Sequence, residues 1–165
     1  MGSASRINSD SGTLTLTGGI TGSGLGLTVG GSSATTITTS GINTSTNGTL
    51  TKDGTGTLTI TASGDYTGLT TVSAGVLNIQ NANATGTTAG GVSVTSGAAL
   101  QIQGGIAVGA EALTLNGTGI SSDGALRNIS GDNSWSGDIT LGSATRINSD
   151  AGTLTLSGGV SGAVT

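Results

Sequence analysis

Cysteine, proline, histidine and phenylalanine are absent from the 165 residues, and the aromatic complement is one tyrosine and one tryptophan. Each absence excludes something. Without cysteine there is no disulfide and no thiolate metal site, and a thiol-free chain suits export through oxidising compartments. Without histidine or cysteine, the commonest general base and the thiol nucleophile are gone. Only 7% of residues are charged, for a net charge of −4. Four basic residues (Arg6, Lys52, Arg127 and Arg146) cannot build the positive footprint that nucleic acid requires. No run approaches the ~20 apolar residues of a membrane-spanning helix, so no membrane insertion is expected. No signal peptide is read, and Met1-Gly2 reads as an expression start rather than as part of the fold.

What is present is repetition. Residues 3–22 read SASRINSDSGTLTLTGGITG, and residues 143–162 read SATRINSDAGTLTLSGGVSG. Five positions differ (Ser5/Thr145, Ser11/Ala151, Thr17/Ser157, Ile20/Val160 and Thr21/Ser161), all by conservative exchange. The chain is therefore expected to hold one 140-residue unit, residues 3–142, and the start of the next, residues 143–165. A fainter echo links GDYTG at 64–68 with NSWSG at 133–137, an offset of 69 from Tyr66 to Trp135. It suggests two degenerate half-units.

Between the repeats the chain alternates an aliphatic with Thr, Ser or Asn. TLTLT at 13–17, TLTIT at 57–61, ALQI at 99–102 and TLTL at 153–156 are typical. Period-two alternation predicts strands with aliphatics on one face and hydroxyls on the other. Gly-Gly, Asn-Gly and Asp-Gly pairs punctuate these runs and predict corners. No helical periodicity persists, so essentially no helix is expected. Scarce aromatics and absent proline argue against antiparallel sandwiches. Small stackable aliphatics favour an all-β, right-handed parallel β-helix, or β-solenoid, with glycine-rich turns. Coils of about 20 residues would give about seven per unit.

GTGTLTITASGDYTGLTTVSAGVLNI (54–79) resembles the autotransporter-associated β-strand repeat: a GxGTLTLxG run, a Tyr-Thr-Gly step, then TTVxAGxLxI. GALRNISGDNSWSGDITLGSATRINSDAGTLTLSGG (124–159) resembles a longer version with Trp-Ser-Gly at that step. Residues 81–123 match poorly and are expected to form irregular coils. The resemblance implies an extracellular passenger segment of a type V secreted or giant bacterial surface protein, at the bacterial cell surface. Its function is then a structural stalk or scaffold in an adhesin or autotransporter passenger, with no enzyme activity, no cofactor and no metal. The translocating β-barrel of such proteins is not read in these residues.

The acids Asp10, Asp53, Asp65, Glu111, Asp123, Asp132, Asp138 and Asp150 mostly sit beside turn residues, where Asp caps its own turn. Asp132 and Asp138 bracket Trp135 in the manner of a glycosidase dyad, the less favoured reading. DGTGT at 53–57 is the nearest approach to a calcium repeat and lacks its second acid. Arg6 with Asp10, and Arg146 with Asp150, read as local turn ion pairs or Asx-turns. The alternative function is a ligand-binding solenoid. Ice would be bound through Thr13/Thr15, Thr57/Thr59 and Thr153/Thr155. Carbohydrate would stack on Tyr66 and Trp135, the only aromatic platforms, although packing over a corner is favoured for both. The partners expected are neighbouring units of the chain, with head-to-tail self-association through exposed strand edges. No host or glycan ligand is identified.

Overall fold

A parallel register organises the chain. In the computed structural model, which describes residues 1–162, every strand pairing among the named strands is parallel. A first face carries eight strands, from Ser5–Asn8 to Val160–Gly162, and a second carries seven, from Leu14–Leu16 to Ile147–Ser149. The third side is shorter: Ile20–Thr21 pairs with Ile42–Asn43, and Ala107–Val108, Asn133–Trp135 and Leu154–Leu156 form a second patch. The chain visits the three sides in rotation. This is the expected β-solenoid, with seven turns between the first and last strands of the first face. At ~4.8 Å per stacked strand, the rise is roughly 34 Å.

The register sets the coil length. Ser5, Leu27, Leu50, Thr70, Val92, Leu113, Ile139 and Val160 lie one above another. The shortest coil runs from 50 to 70 and the longest from 113 to 139, so coils span 20 to 26 residues on this face. The longest contains an excursion ending in a 3-10 turn, Ile120–Ser122, where Ser121 and Ser122 hold φ of 52° and 62°. No α-helix occurs among the described residues, and none is long and apolar enough to cross a membrane.

Alternation decides what is inside. Leu27, Leu50, Val92, Leu113 and Ile139 are buried, and so are Leu58, Leu77, Leu100 and Leu126 on the second face. Each stacks on its counterpart one coil away. The residues between them face out: Thr28, Thr51, Thr71, Ser93, Thr114, Thr140 and Ser161 form one hydroxyl column. Corners need glycine because neighbouring coils touch there backbone to backbone. A Cβ on Gly137 would run into the backbone of Glu111, and one on Gly31, held at φ 98°, into that of Ser9.

Residues 81–123 are more regular than expected. Val92–Val94, Ala99–Gln103 and Leu113–Leu115 take their places in the two main sheets. Irregularity there is local: a register shift between Ile102 and Gln103, and the excursion after Leu115. The poor family resemblance arises because the inward positions alone must be aliphatic, whereas the corner motifs vary.

The two copies of RINSD…GTLTL do not occupy the same faces. Ser5–Asn8 lies on the first face and its counterpart region, Ile147–Ser149, on the second. Leu14–Leu16 lies on the second face and Leu154–Leu156 on the third. The 140-residue period thus covers six coils and one further face. The shorter echo keeps its phase: the strand after Tyr66 reaches the strand after Trp135 in three whole steps, Thr70 to Val92 to Leu113 to Ile139.

Candidate functional site

The groups with unusual chemistry lie inside the tube. Tyr66 and Trp135 are both 0% exposed, Trp135 in a third-side strand and Tyr66 in the corner segment between the strands Thr57–Ile60 and Thr70–Val72. Trp135 lies in register with Val108 and Leu156, and its Nε1 donates to the Glu111 carbonyl at 2.8 Å. The Tyr66 hydroxyl shares a 2.7 Å hydrogen bond with Thr70 Oγ1. Sugar stacking on either ring would require the coil to open. Their placement is that of corner packing, the favoured reading from sequence.

Between these aromatics sits Glu111, 1% exposed. Thr85 Oγ1 donates to its Oε2 at 2.6 Å, while Oε1 has no partner among the described residues. Thr70 Oγ1 in turn donates to the Thr85 carbonyl at 3.1 Å, so Tyr66, Thr70, Thr85 and Glu111 are linked. Burial raises the Glu111 carboxyl to about 7, against the opposing effect of the Thr85 hydrogen bond. Burial also raises the Tyr66 phenol.

Lys52 is the second interior ion. It takes an inward position between Val29 and Val72 and is 2% exposed. Its Nζ donates to the carbonyls of Asp53 (2.7 Å), Gly54 (2.8 Å) and Ala74 (3.1 Å). Burial lowers its pKa to about 8, with Asp53 opposing. The ammonium acts as a bracket: it satisfies carbonyls from two coils at one corner. Lys52→Met is accordingly expected to cost about 1–3 kcal/mol in denaturant unfolding at pH 7, through orphaned carbonyls. An unchanged midpoint would show that the bracket contributes nothing. The sequence contained the signal, since Lys52 shares the inward parity of Leu50 in TLTK. Glu111 had no such signal, because it lies outside any strand.

Three surface acids, Asp65, Asp132 and Asp138, join coils instead of capping their own turns. Asp65 Oδ1 accepts from the N–H of Ser45, Asp132 Oδ1 from Thr153 and Asp138 Oδ1 from Gly159, each at 2.9 Å. The two that flank Trp135 are thereby committed to separate backbone amides. The expected local ion pairs are replaced by longer ones. Arg6 forms a two-pronged pair with Asp53 at 2.7 and 2.8 Å, and Arg127 bonds Asp150 at 2.6 Å. Outward side chains on a solenoid face lie nearer to the next coils than to their own turn. A third polar knot lies at a corner, where Asn133 Nδ2 donates to Asn128 Oδ1 at 2.5 Å and Asn128 Nδ2 to Ser149 Oγ at 3.0 Å.

The outer surface has little concavity. One shallow cleft of about 270 Å³ runs along Arg6, Thr28 and Thr51. Another, of about 190 Å³, lies under Ile120 beside Gln101, Asp123 and Arg127, the last two paired with each other. Among the described residues, no three of His, Cys, Asp or Glu are grouped to hold a metal ion. Of the Thr pairs, Thr15 and Thr59 align through Thr36 on the second face, while Thr155 aligns with Ser134 on the third.

The matched stretch begins at Leu50 on the first face and ends at Ile79 on the second, one coil and one face later. Residues 50–79 match the passenger-associated-transport-repeat family. The repeat thus contains Lys52 with all three of its acceptors, the Tyr66 corner and two inward aliphatic stacks. The stretch 54–79, which carries the resemblance in the sequence, lies within it. No curated protein and no solved structure matches the chain.

Proposed function

We propose that this chain is a structural segment of an autotransporter passenger: a stiff, extracellular spacer at a bacterial surface that does no catalysis and extends another function away from the cell. The observation that carries this is the parallel stack of eight strands on the first face, in register from Ser5 to Gly162, into which the passenger-associated-transport-repeat fits as one coil and a face. A solenoid of this kind gains stability from nearest-neighbour contacts and so lengthens without a larger core. Lys52 serves the stack itself, by bracketing two coils, and Asp65, Asp132 and Asp138 bond amides of neighbouring coils. One 140-residue unit followed by the start of the next is the arrangement of a tandem array.

A ligand-binding surface is the less favoured reading. The outward hydroxyls of the first face form one column. Two residues back from this column stand Gly26, Thr49, Leu69, Gly91, Ala112, Asp138 and Gly159, of which Thr49 alone carries a hydroxyl, so they supply no second column. Tandem chains of two and three units test the spacer reading by small-angle scattering. Each added unit should lengthen the particle by about 30 Å at constant cross-section, from ~4.8 Å per coil. A cross-section that grows with length would contradict it.

A further inference from the structure

The outward side of the second face changes character part-way along the rod. In its first three coils the outward positions carry hydroxyls: Thr15, Thr36 and Thr59 stand one above another. The same column then continues as Asn78, Gln101 and Arg127. Beside it, Thr57 gives way to Val76 and Ala99. Aliphatics at outward positions break the alternation of hydroxyls outside and aliphatics inside. The break falls where the longest coil spends its extra residues. Its excursion brings Ile120 over Val76 and Ala99, and the space beneath is the cleft of about 190 Å³.

The overhanging wall is fixed in place. The Gly124 N–H donates to the Thr118 carbonyl and the Asp123 N–H to that of Ile120, both at 2.9 Å. Arg146 donates to the Ser122 carbonyl, also at 2.9 Å. Ser121 and Ser122 are the only adjacent non-glycine pair with positive φ among the described residues. Left-handed backbone outside glycine is strained, and such strain gathers at ligand sites. Ile120 is nevertheless 37% exposed, so the excursion folds over apolar ground without closing on it. The three strands beneath, Val76–Ile79, Ala99–Gln103 and Leu126–Ser130, are each paired on both sides. The cleft therefore belongs to the body of the stack.

We propose that this cleft binds one neutral pyranose, the terminal residue of a glycan. Its polar rim fits hydroxyl groups. Gln101 Oε1 accepts from Asn78 at 3.2 Å, which fixes the amide and leaves Nε2 as a donor. Arg127 spends Nε on Asp150 and Nη1 on Asp123, which leaves Nη2. Asp123 Oδ1 is the acceptor. None of these three atoms is occupied by a hydrogen bond among the described residues. Two donors and an acceptor around Val76, Ala99 and Ile120 match a ring with an apolar C–H face and hydroxyls at its edge. Charge disfavours an anion, because Arg127 already stands between two carboxylates. Size favours a single ring. At ~30 Å³ per water the cleft holds about six waters, well below the ~300–1,000 Å³ of sites for larger ligands. No aromatic ring lines the cleft, Tyr66 and Trp135 being buried elsewhere, so affinity in the millimolar range is expected. The site goes beyond the spacer role and does not rest on it.

Methyl-detected NMR of the full chain tests this, with titration by the methyl glycosides of glucose, galactose, mannose and N-acetylglucosamine in turn. At least one should shift the methyl signals of Val76, Ala99 and Ile120 saturably and leave those of Leu27 and Leu50 in place. Gln101→Met leaves Asn78 its second acceptor, Gln103 at 3.4 Å. It should weaken that glycoside about tenfold, the worth of one hydrogen bond, at an unchanged melting temperature. Ile120→Ser, at an exposed position, should weaken it as well. No saturable shift with any of the glycosides would overturn the proposal. So would shifts centred away from the cleft, shifts by acetate or inorganic phosphate in place of the glycosides, or either variant binding as tightly as the parent.

Discussion

Trp135→Ala is expected to destabilise the chain by about 3–5 kcal/mol, the range for removing a fully buried Trp or Phe. The ring is 0% exposed and fills the third side between Val108 and Leu156, so its loss leaves a void that stacked coils on both sides resist closing. It also orphans the Glu111 carbonyl, which the indole N–H satisfies at 2.8 Å. Because each coil touches only its neighbours, the loss should be local. Amides at 107–115 and 133–141 should lose exchange protection first, with those at 26–30 and 35–37 spared. Trp135→Phe should recover most of the packing and none of the hydrogen bond. Circular dichroism is the appropriate readout, since the substitution removes the sole tryptophan. A loss below about 1 kcal/mol would mean that the ring is not a filled corner.

Stability is expected to fall as pH rises from about 4.5 to about 7, by up to about 3 kcal/mol, because of Glu111. Its folded pKa is raised to about 7 from 4.5, so the folded state holds a proton that the unfolded chain has already released. The favourable state is therefore complete below the unfolded value and is lost on passing through the folded one. Other shifted groups act outside this window. Arg6 beside Asp53 holds that carboxyl below its ordinary 3.8, and Lys52, lowered to about 8, titrates above it. Glu111→Gln retains an acceptor for Thr85 without the charge. It should flatten the profile and be more stable than the parent at pH 7.5. A parent profile that is already flat between pH 4.5 and 7.5 would remove the buried carboxyl from the account.

Much of the fold was legible because alternation is a local signal. The runs TLTIT, LTTV, VLNI, VSV and ALQI all contribute strands to the main sheets, with Leu58, Ile60, Val72, Leu77, Ile79, Val92, Val94, Leu100 and Ile102 inward and Leu69 left 45% exposed. Short strands on the third side were not legible. Ile42–Asn43, Ala107–Val108 and Asn133–Trp135 are too brief or too polar to show a period of two, and stacking on adjacent coils decides them. Phase was hidden for a similar reason. The sequence offset of 140 carries no mark of where a coil closes, so nothing in RINSD…GTLTL announces that its second copy sits one face further round. At the candidate site, corner packing was readable for Tyr66 and Trp135 from their recurrence before a Ser/Thr-Gly step. Glu111 reads in the sequence as one more turn acid, because its burial depends on Thr85 and Trp135, residues far away in sequence.

The parallel stack itself is the claim on which everything else rests, and the absence of native cysteine makes it directly measurable. Spin labels on cysteines placed at Thr28 and, in turn, at Thr114, Thr140 and Ser161 report distances along the outward column of the first face. Successive rungs of ~4.8 Å give roughly 19, 24 and 29 Å, increasing in that order. Distances that fail to grow along this series, with Thr140 or Ser161 folded back near Thr28, would contradict the solenoid.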